Sequence, residues 1–450
     1  MALTGIQIYK FLPKTNCKEC GFPTCLAFAM KLAAAGVELS KCPYVSEEGK
    51  QALAEASKPP IRLVTIGAGE KKIAVGNETV LFRHEKKFVN PTGIVIRVKD
   101  SDAEADITKT VGAVNEYTVD RVGMTFGLDG VAINNTSGDA ATFVKCAESV
   151  SSKTELPLIL MATDPKAMGA ALDKIANKKP LIYAATKENI DAMLELAKKH
   201  GCPLAIRSAG GLNELAELSE KAAAAGVEDL ILDPGVRDFA GTLVTLTQIR
   251  RLALSKKCEA VGYPVITFPG EGTDSLDEEA ALAALGIAKY GSIVVIDRFS
   301  PALVLALITL RLNIYTDPQK PIQMKPGLYQ IGEPKDSSPL CVTTNFSLTY
   351  FSIAGELESA GWSSWLVVCD TEGLSVLTGW SAGKFDSEKI AKSVKGEGME
   401  EKLNHKNVII PGGVAVLKGE LEEELSGWNI MVGPREALAI GPYLKENWKN

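Results

Sequence analysis

The sequence predicts an α/β protein in three parts: a small cysteine-bearing N-terminal domain, a central (β/α)8 barrel and a C-terminal doubly wound α/β domain. Three observations carry that expectation. The chain has 450 residues, room for about three domains at roughly 150 residues each, or for two if one is a barrel. Four of the nine cysteines fall at positions 17, 20, 25 and 42, and the other five are scattered singly. From residue 93 onward, apolar runs alternate with helical stretches at a steady spacing.

The composition is that of an ordinary globular chain, 46% hydrophobic and 23% charged, so disordered, collagenous and coiled-coil classes are excluded. Lys plus Arg number 49 against 55 Asp plus Glu, a formal charge of −6. Nothing there steers the surface toward polyanions, and nucleic acid is not an expected partner. Three histidines against nine cysteines imply that any metal chemistry runs on sulfur. The start, MALTGIQIYKFLPKTNC, has no apolar core followed by small residues, so it does not read as a secretory signal and a cytoplasmic protein is expected. The longest clean apolar stretch, Ala302 to Leu310, is about half of the roughly 20 residues a membrane crossing needs. In a reducing compartment, clustered cysteines are more often ligands than disulfides.

Taken in order, residues 1–58 form the first domain. The spacing is C-x2-C-x4-C-x16-C-P. Between the third and fourth cysteines, LAFAMKLAAAGVEL has helical periodicity and should fold Cys42 back toward the loop. A second helix, EEGKQALAEAS, must stop at Lys58-Pro59-Pro60. Those prolines and the segment after them would let the N-terminal unit swing. Residues 59–91 connect, with IRLVTIG and KIAVGN suggesting a small hairpin. Residues 92–324 hold eight apolar runs: GIVIRV at 93, GVAINN at 130, LPLILMA at 156, PLIYAA at 180, PLAIRSA at 203, DLILDPG at 229, PVITFPG at 264 and SIVVID at 292. Continuous apolar strands separated by helices are buried on both faces, and eight such units close a TIM barrel. KPGLYQIGEPKDSSP at 325–339 reads as a linker or extended arm. Within 325–450, LCVTTNF, SSWLVVCD, NVIIPGG and WNIMVGP alternate with helices as a small doubly wound domain.

Four thiolates, three on one loop and the fourth delivered by a helix, can surround a [4Fe–4S] cluster, with loop N–H groups pointing at its sulfurs. Zinc is the alternative, although structural zinc sites usually pair two knuckles and only one is present. Cys146, Cys202, Cys258, Cys341 and Cys369 sit in or beside apolar segments and read as packing. Barrel sites form at carboxyl strand ends, here Asn134, Asn135, Asp164, Thr186, Arg207, Ser208, Asp233, Glu271 and Asp297. No histidine and no nucleophile–base pair falls among them, so no catalytic residue is assigned and a scaffold barrel is expected. In the last domain the equivalent rim is Thr343 to Phe346, Asp370 to Gly373, Pro411 to Val414 and Gly433 to Arg435. Candidate ligand contacts are Thr343, Thr344, Phe346, Asp370, Thr371, Glu372, Gly373, Thr378, Gly412, Gly413 and Gly433. Glycines admit close backbone approach and threonines offer hydroxyls to amides, but both are equally ordinary in turns and caps. No G-x-G-x-x-G or P-loop sequence occurs.

The segment KTNCKECGFPTCLAFAMKLAAAGVELSKCPYV, followed by a barrel and then by VVCDTEGLSVLTGW and VIIPGGVAVLKGELEE, resembles over its full length the large subunits of corrinoid iron–sulfur proteins of the reductive acetyl-CoA pathway. The resemblance implies a methyl carrier rather than an independent catalyst. Cys17, Cys20, Cys25 and Cys42 would hold a [4Fe–4S] cluster, and the four rim loops a corrinoid. Cobalt as Co(I) would take a methyl group from methyltetrahydrofolate on a methyltransferase and pass it to acetyl-CoA synthase/CO dehydrogenase, the cluster re-reducing Co(II). It also implies a heterodimer with a small subunit and a reductive activator. His84, His200 and His405 lie in no D-x-H-x-x-G context, so a base-off cobamide without a protein ligand is expected. The alternatives are a barrel enzyme acting on a pterin or other small molecule with an attached cluster, and an electron-transfer or scaffold protein.

Overall fold

The computed structural model describes residues 4–33, 37–50, 53, 59–320 and 322–448. The chain divides into two compact units, residues 1–117 with 127–315, and residues 118–126 with 316–450.

In the first unit, Thr4 caps the short helix Gly5–Tyr9 through a capping box with Gln7, and a second helix runs Cys25–Ala33. Ile8, Leu12, Phe28, Val45 and Leu53 pack with Cys25 and Cys42 as one small core. The helix expected over 26–39 extends into residues 34–36, which lie outside the described residues. So do 51–52 and 54–58 of the next one, whose residues 47–50 and 53 are helical.

The two runs expected as a connecting hairpin are β1 (Val64–Ile66) and β2 (Ile73–Val75), paired antiparallel. Their inward side chains join the barrel interior in one apolar cluster, and Ile73 packs beside Gly93 and Gly130, the first residues of their strands. The hairpin therefore plugs the amino end of the barrel. Each buried Ile or Val there contributes about 1.5–3 kcal/mol.

All eight expected barrel strands form. They are β3 (Gly93–Lys99), β6 (Gly130–Asn134), β7 (Leu158–Met161), β8 (Leu181–Ala185), β9 (Leu204–Arg207), β10 (Leu230–Asp233), β11 (Ile266–Thr267) and β12 (Ile293–Ile296). The remaining two, β4 (Val119–Arg121) and β5 (Met124–Phe126), lie between them in sequence but belong to the second unit. The parallel order is β10-β9-β8-β7-β6-β3-β12-β11, and a Leu232–Val265 bridge joins its ends. Helices follow each strand. Aspartates cap several of them, such as Asp139 before Ala140–Lys153 and Asp164 before Pro165–Ile175.

Besides that hairpin, the second unit has one sheet of five strands where four were expected. The parallel ones are β14 (Leu340–Thr344), β15 (Ser364–Cys369), β16 (Asn407–Ile410) and β17 (Asn429–Val432). The fifth, β13 (Gly327–Ile331), comes from the segment read as a linker and pairs antiparallel with β15 at the sheet edge. Its half-exposed residues alternate too weakly to stand out from the Gly and Pro around them. The order is β13-β15-β14-β16-β17, so the chain direction across the sheet reverses between β14 and β16. Leu340, Val342 and Val367 face one core with Ile390 and Leu421, while Cys341, Leu366 and Val368 face the other with Leu357 and Leu444. That period of two is what a doubly wound sheet requires. The β4–β5 hairpin joins the second core through Val122. Among the described residues no helix is long and apolar enough to cross a membrane.

Candidate functional site

The N-terminal loop has an unusual backbone. Lys14, Asn16, Lys18 and Gly21 all have positive φ. The Asn16 N–H donates to the Cys25 thiol at 3.4 Å, while the Asn16 side chain accepts from the Cys25 N–H at 2.8 Å. Cys25 and Cys42 are buried, Cys20 is half-buried against the same apolar cluster, and Cys17 is exposed. Among the described residues no three His, Cys, Asp or Glu side chains come together closely enough to share one metal ion. The chemistry of the donor set, four thiols with an amide aimed at one of them, fits a multi-iron cluster. Burial pushes the thiols of Cys146, Cys202 and Cys369 up to about 11 and that of Cys341 to about 12, which leaves them poor nucleophiles and agrees with a packing role.

The carboxyl end of the second unit's sheet is built around a residue that the sequence pattern did not single out. Asn345, 1% exposed, accepts at Oδ1 from the Thr371 N–H, the Thr371 hydroxyl and the Gly373 N–H, each at 2.9 Å. Its amide donates to Asp370 at 3.2 Å and to Gln323 at 3.3 Å. Asn345 thus locks the loop after β15 to the end of β14. Glu372 and Gly373 are both left-handed, φ +57° and +78°, and Lys384 holds the Glu372 carboxylate at 2.6 Å, below the usual glutamate range. A Cβ on Gly373 would stand 2.6 Å from Gln323 Cγ, and one on Gly412 would run into the Gly433 carbonyl. The Gly412 N–H donates to the Pro434 carbonyl at 3.0 Å, pinning the third loop to the fourth.

Between these loops lies an open cleft of about 730 Å³, lined from all four strand ends by residues including Leu348, Leu377, Pro411, Gly413, Gly433 and Arg435. Of the residues expected to bind a ligand, Gly413 and Gly433 line it. Asp370, Thr371, Gly373 and Gly412 shape its loops, Phe346 precedes the helix Ser347–Ser359, and exposed Thr378 accepts from Ser375. Thr343 and Thr344 are fully buried, and their hydroxyls have no hydrogen-bond partner among the described residues. Leu348 and Leu377 are 66% and 57% exposed, and Trp380, Val416 and Leu438 are also exposed. Spare buried donors, glycine cradles and uncovered apolar side chains at a switch point fit a large amphipathic planar ligand. None of the three histidines belongs to these loops; His405 precedes the amino end of β16, bonded to Ser338 and Asn407.

The barrel's carboxyl end is different. Arg97 bridges Glu271 and Asp297, each at 2.5 Å. Arg237 bridges Asp233 at 2.9 Å and Glu271 at 2.5 Å, and Tyr183 donates to Asp233 at 2.6 Å. Phe268 lies beneath both guanidiniums. Burial disfavours the Arg97 and Arg237 charges, but the carboxylates, Asp297 and Asp233 foremost, more than offset it and hold both more firmly protonated. Burial, then the Asp233 charge, pushes the Tyr183 phenol well up. Only Arg97 Nε and Asp297 Oδ1 lack a partner among these described groups. Arg207 also lies 3.9 Å from Asp233, and four further strand-end residues serve turns: Asp164 caps a helix, Asn135 accepts from Gly138, Thr186 bonds Asn189, and Ser208 bonds Glu214.

A family model described as CO dehydrogenase/acetyl-CoA synthase delta subunit matches residues 63–444, and one described as an Fe–S cluster matches residues 12–44. The chain is similar to the corrinoid/iron–sulfur protein large subunit of Moorella thermoacetica, 46% identical over 448 residues and covering 99% of each chain. It is also similar to the acetyl-CoA decarbonylase/synthase complex subunit gamma of Methanopyrus kandleri, 36% identical over 99% of this chain and 98% of that one. The same subunit of Methanothermobacter thermautotrophicus is 35% identical over 99% of each. A solved 7,8-dihydropteroate synthase from Vibrio fischeri aligns with 53% of this chain and 100% of its own at 13% identity and a TM-score of 0.39, too loose a likeness to carry an inference.

Proposed function

Because the chain belongs to the family that joins corrinoid/iron–sulfur protein large subunits with the gamma subunits of acetyl-CoA decarbonylase/synthase complexes, we propose that it is a methyl-group carrier with two cofactors. Cys17, Cys20, Cys25 and Cys42 hold a [4Fe–4S] cluster, and the strand ends of β14 to β17 hold a corrinoid. When bound, the corrinoid would supply a nucleophilic Co(I) for methyl transfer from methyltetrahydrofolate on a methyltransferase to acetyl-CoA synthase/CO dehydrogenase, and the cluster would supply the electron that restores Co(I) from Co(II). The chain's residues bind and orient. Asn345 fixes the loop 370–373, Gly412 and Gly413 let backbone approach the ligand, Thr343 and Thr344 offer hydroxyls, and Leu348 and Leu377 cover an apolar face. A small subunit completes a heterodimer, and a reductive activator restores strayed cobalt.

The observation that carries this reading is the open rim of the second unit, with buried hydroxyls unspent, on a chain whose first 50 residues hold four of its nine cysteines. The position of His405 at the opposite end of β16 supports a base-off cobalt with no imidazole from this chain. Against a barrel enzyme acting on a pterin, Asp233, Glu271 and Asp297 are tied to arginines and not poised for a substrate.

Anaerobic purification followed by absorption and EPR spectroscopy tests the reading. We expect an iron–sulfur signal from the chain and a cobalt signal after reconstitution with cobamide. A cluster without cobalt after reconstitution would overturn the carrier; a colourless zinc protein would overturn both cofactors.

A further inference from the structure

Asn16 stands just before the first cysteine of the N-terminal loop and bonds to the third in both directions. Its backbone N–H donates to Cys25 Sγ at 3.4 Å, and its side-chain Oδ1 accepts from the Cys25 N–H at 2.8 Å. The pair spans nine positions and encloses Cys17 and Cys20. Cys25 opens the helix Cys25–Ala33, so its amide is one of those a helix start leaves without an internal partner. Thr24 answers another, its hydroxyl accepting from the Ala27 N–H at 3.0 Å. The residue type suits the place. At φ +52° Asn16 is left-handed, a conformation asparagine tolerates better than most side chains, and its amide oxygen accepts without bringing a charge. Cys25 is 6% exposed, and among the described residues its sulfur is the one of these four cysteine sulfurs that accepts a hydrogen bond.

We propose that Asn16 is a positioning residue for the cluster: it holds an amide donor against Cys25 and thereby raises the cluster's reduction potential. The proposal rests on the cluster reading given above, the Cys25 thiol standing for a thiolate ligand. Reduction adds one electron and makes or breaks no bond. Part of the added charge falls on the ligand sulfurs, where an N–H donor stabilises it, the more so away from water. The side-chain half of the pair keeps that donor in place, because it ties the left-handed turn at Asn16 to the start of the helix. A cluster that is easier to reduce fills more readily and gives its electron less readily, so this one contact bears on both halves of its work.

The test is EPR-monitored potentiometry of the full chain, its cluster reconstituted anaerobically and reduced by one electron from titanium(III) citrate through soluble mediators. Asn16→Ala loses the acceptor and disfavours the left-handed turn. Its one-electron equilibrium should move about tenfold toward the oxidised form, a potential about 59 mV lower. Asn16→Gly keeps the turn and loses only the acceptor, so its equilibrium should move about threefold the same way. Thr24→Ala is the control for a purely structural role. It removes the neighbouring helix cap and should speed hydrogen–deuterium exchange across residues 25–33 of the metal-free chain, with the potential unmoved. If Asn16→Ala assembles no cluster, Asn16→Gly provides the reading. An unshifted or raised potential in the variant that is read, or an equal shift in Thr24→Ala, overturns the proposal. So does failure of both Asn16 variants to assemble a cluster, which would make the residue one of assembly. Absence of any iron–sulfur signal from the reduced, unaltered chain overturns the cluster reading instead.

Discussion

The barrel and the C-terminal domain obey one architectural rule, that parallel strands present their carboxyl ends to ligands, yet their rims are in opposite conditions. In the barrel, Asp233 is fully buried and answered by Arg237 and Tyr183, while Glu271 and Asp297 are answered by Arg97 and Arg237. Nearly every strong group is spent on a neighbour. In the second unit the buried Thr343 and Thr344 hydroxyls are unspent, the loops turn on glycine, and Leu348 and Leu377 stand in the open. A satisfied rim holds a fold together, whereas an unsatisfied one implies a ligand that completes it.

Four substitutions press on that contrast, the largest first. Arg237→Met leaves the fully buried Asp233 with no cation but Arg207, 3.9 Å away, and Glu271 with Arg97 alone, which should cost the barrel about 3–5 kcal/mol and lower its melting midpoint by roughly 10 °C, with cobamide affinity unchanged. Calorimetry and a binding titration read both; a loss of cobamide with an intact barrel would move the site. Asn345→Ala strands the Thr371 and Gly373 backbone N–H groups. It should cost about 2–3 kcal/mol and weaken cobamide binding at least tenfold, both within the second unit. Thr343→Val, nearly isosteric, should leave the cofactor-free chain as stable or about 1 kcal/mol more stable, because a buried unpaired hydroxyl is removed, while weakening cobamide severalfold. Ser364→Ala, an equally unpaired hydroxyl at the amino end of β15, should stabilise without touching cobamide. Equal effects from Thr343→Val and Ser364→Ala would dissolve the distinction between the two ends.

Much of this was legible in the sequence, and what escaped has a common cause. The eight barrel strands and the hairpin that plugs them are apolar runs, which periodicity reveals. The four sulfurs lie within 26 residues of one another, near enough for spacing to speak. Asp233, Glu271 and Asp297 were identifiable as strand ends, but Arg97 meets its carboxylates across 174 and 200 positions, and only barrel closure joins them. Asn345 sits beside named residues in TTNF, and its role rests on loops 26 and 28 positions away. The β4–β5 hairpin consists of short exposed strands that bury little of themselves. No local pattern marks it as part of the second unit.

Hydrogen–deuterium exchange of the full chain, with and without cobamide, tests the central claim most directly. Protection should concentrate in residues 343–346, 370–373, 411–414 and 433–435, with the barrel rim around Asp233, Glu271 and Asp297 unchanged. Protection of that barrel rim, with the four loops exchanging as before, would contradict the account.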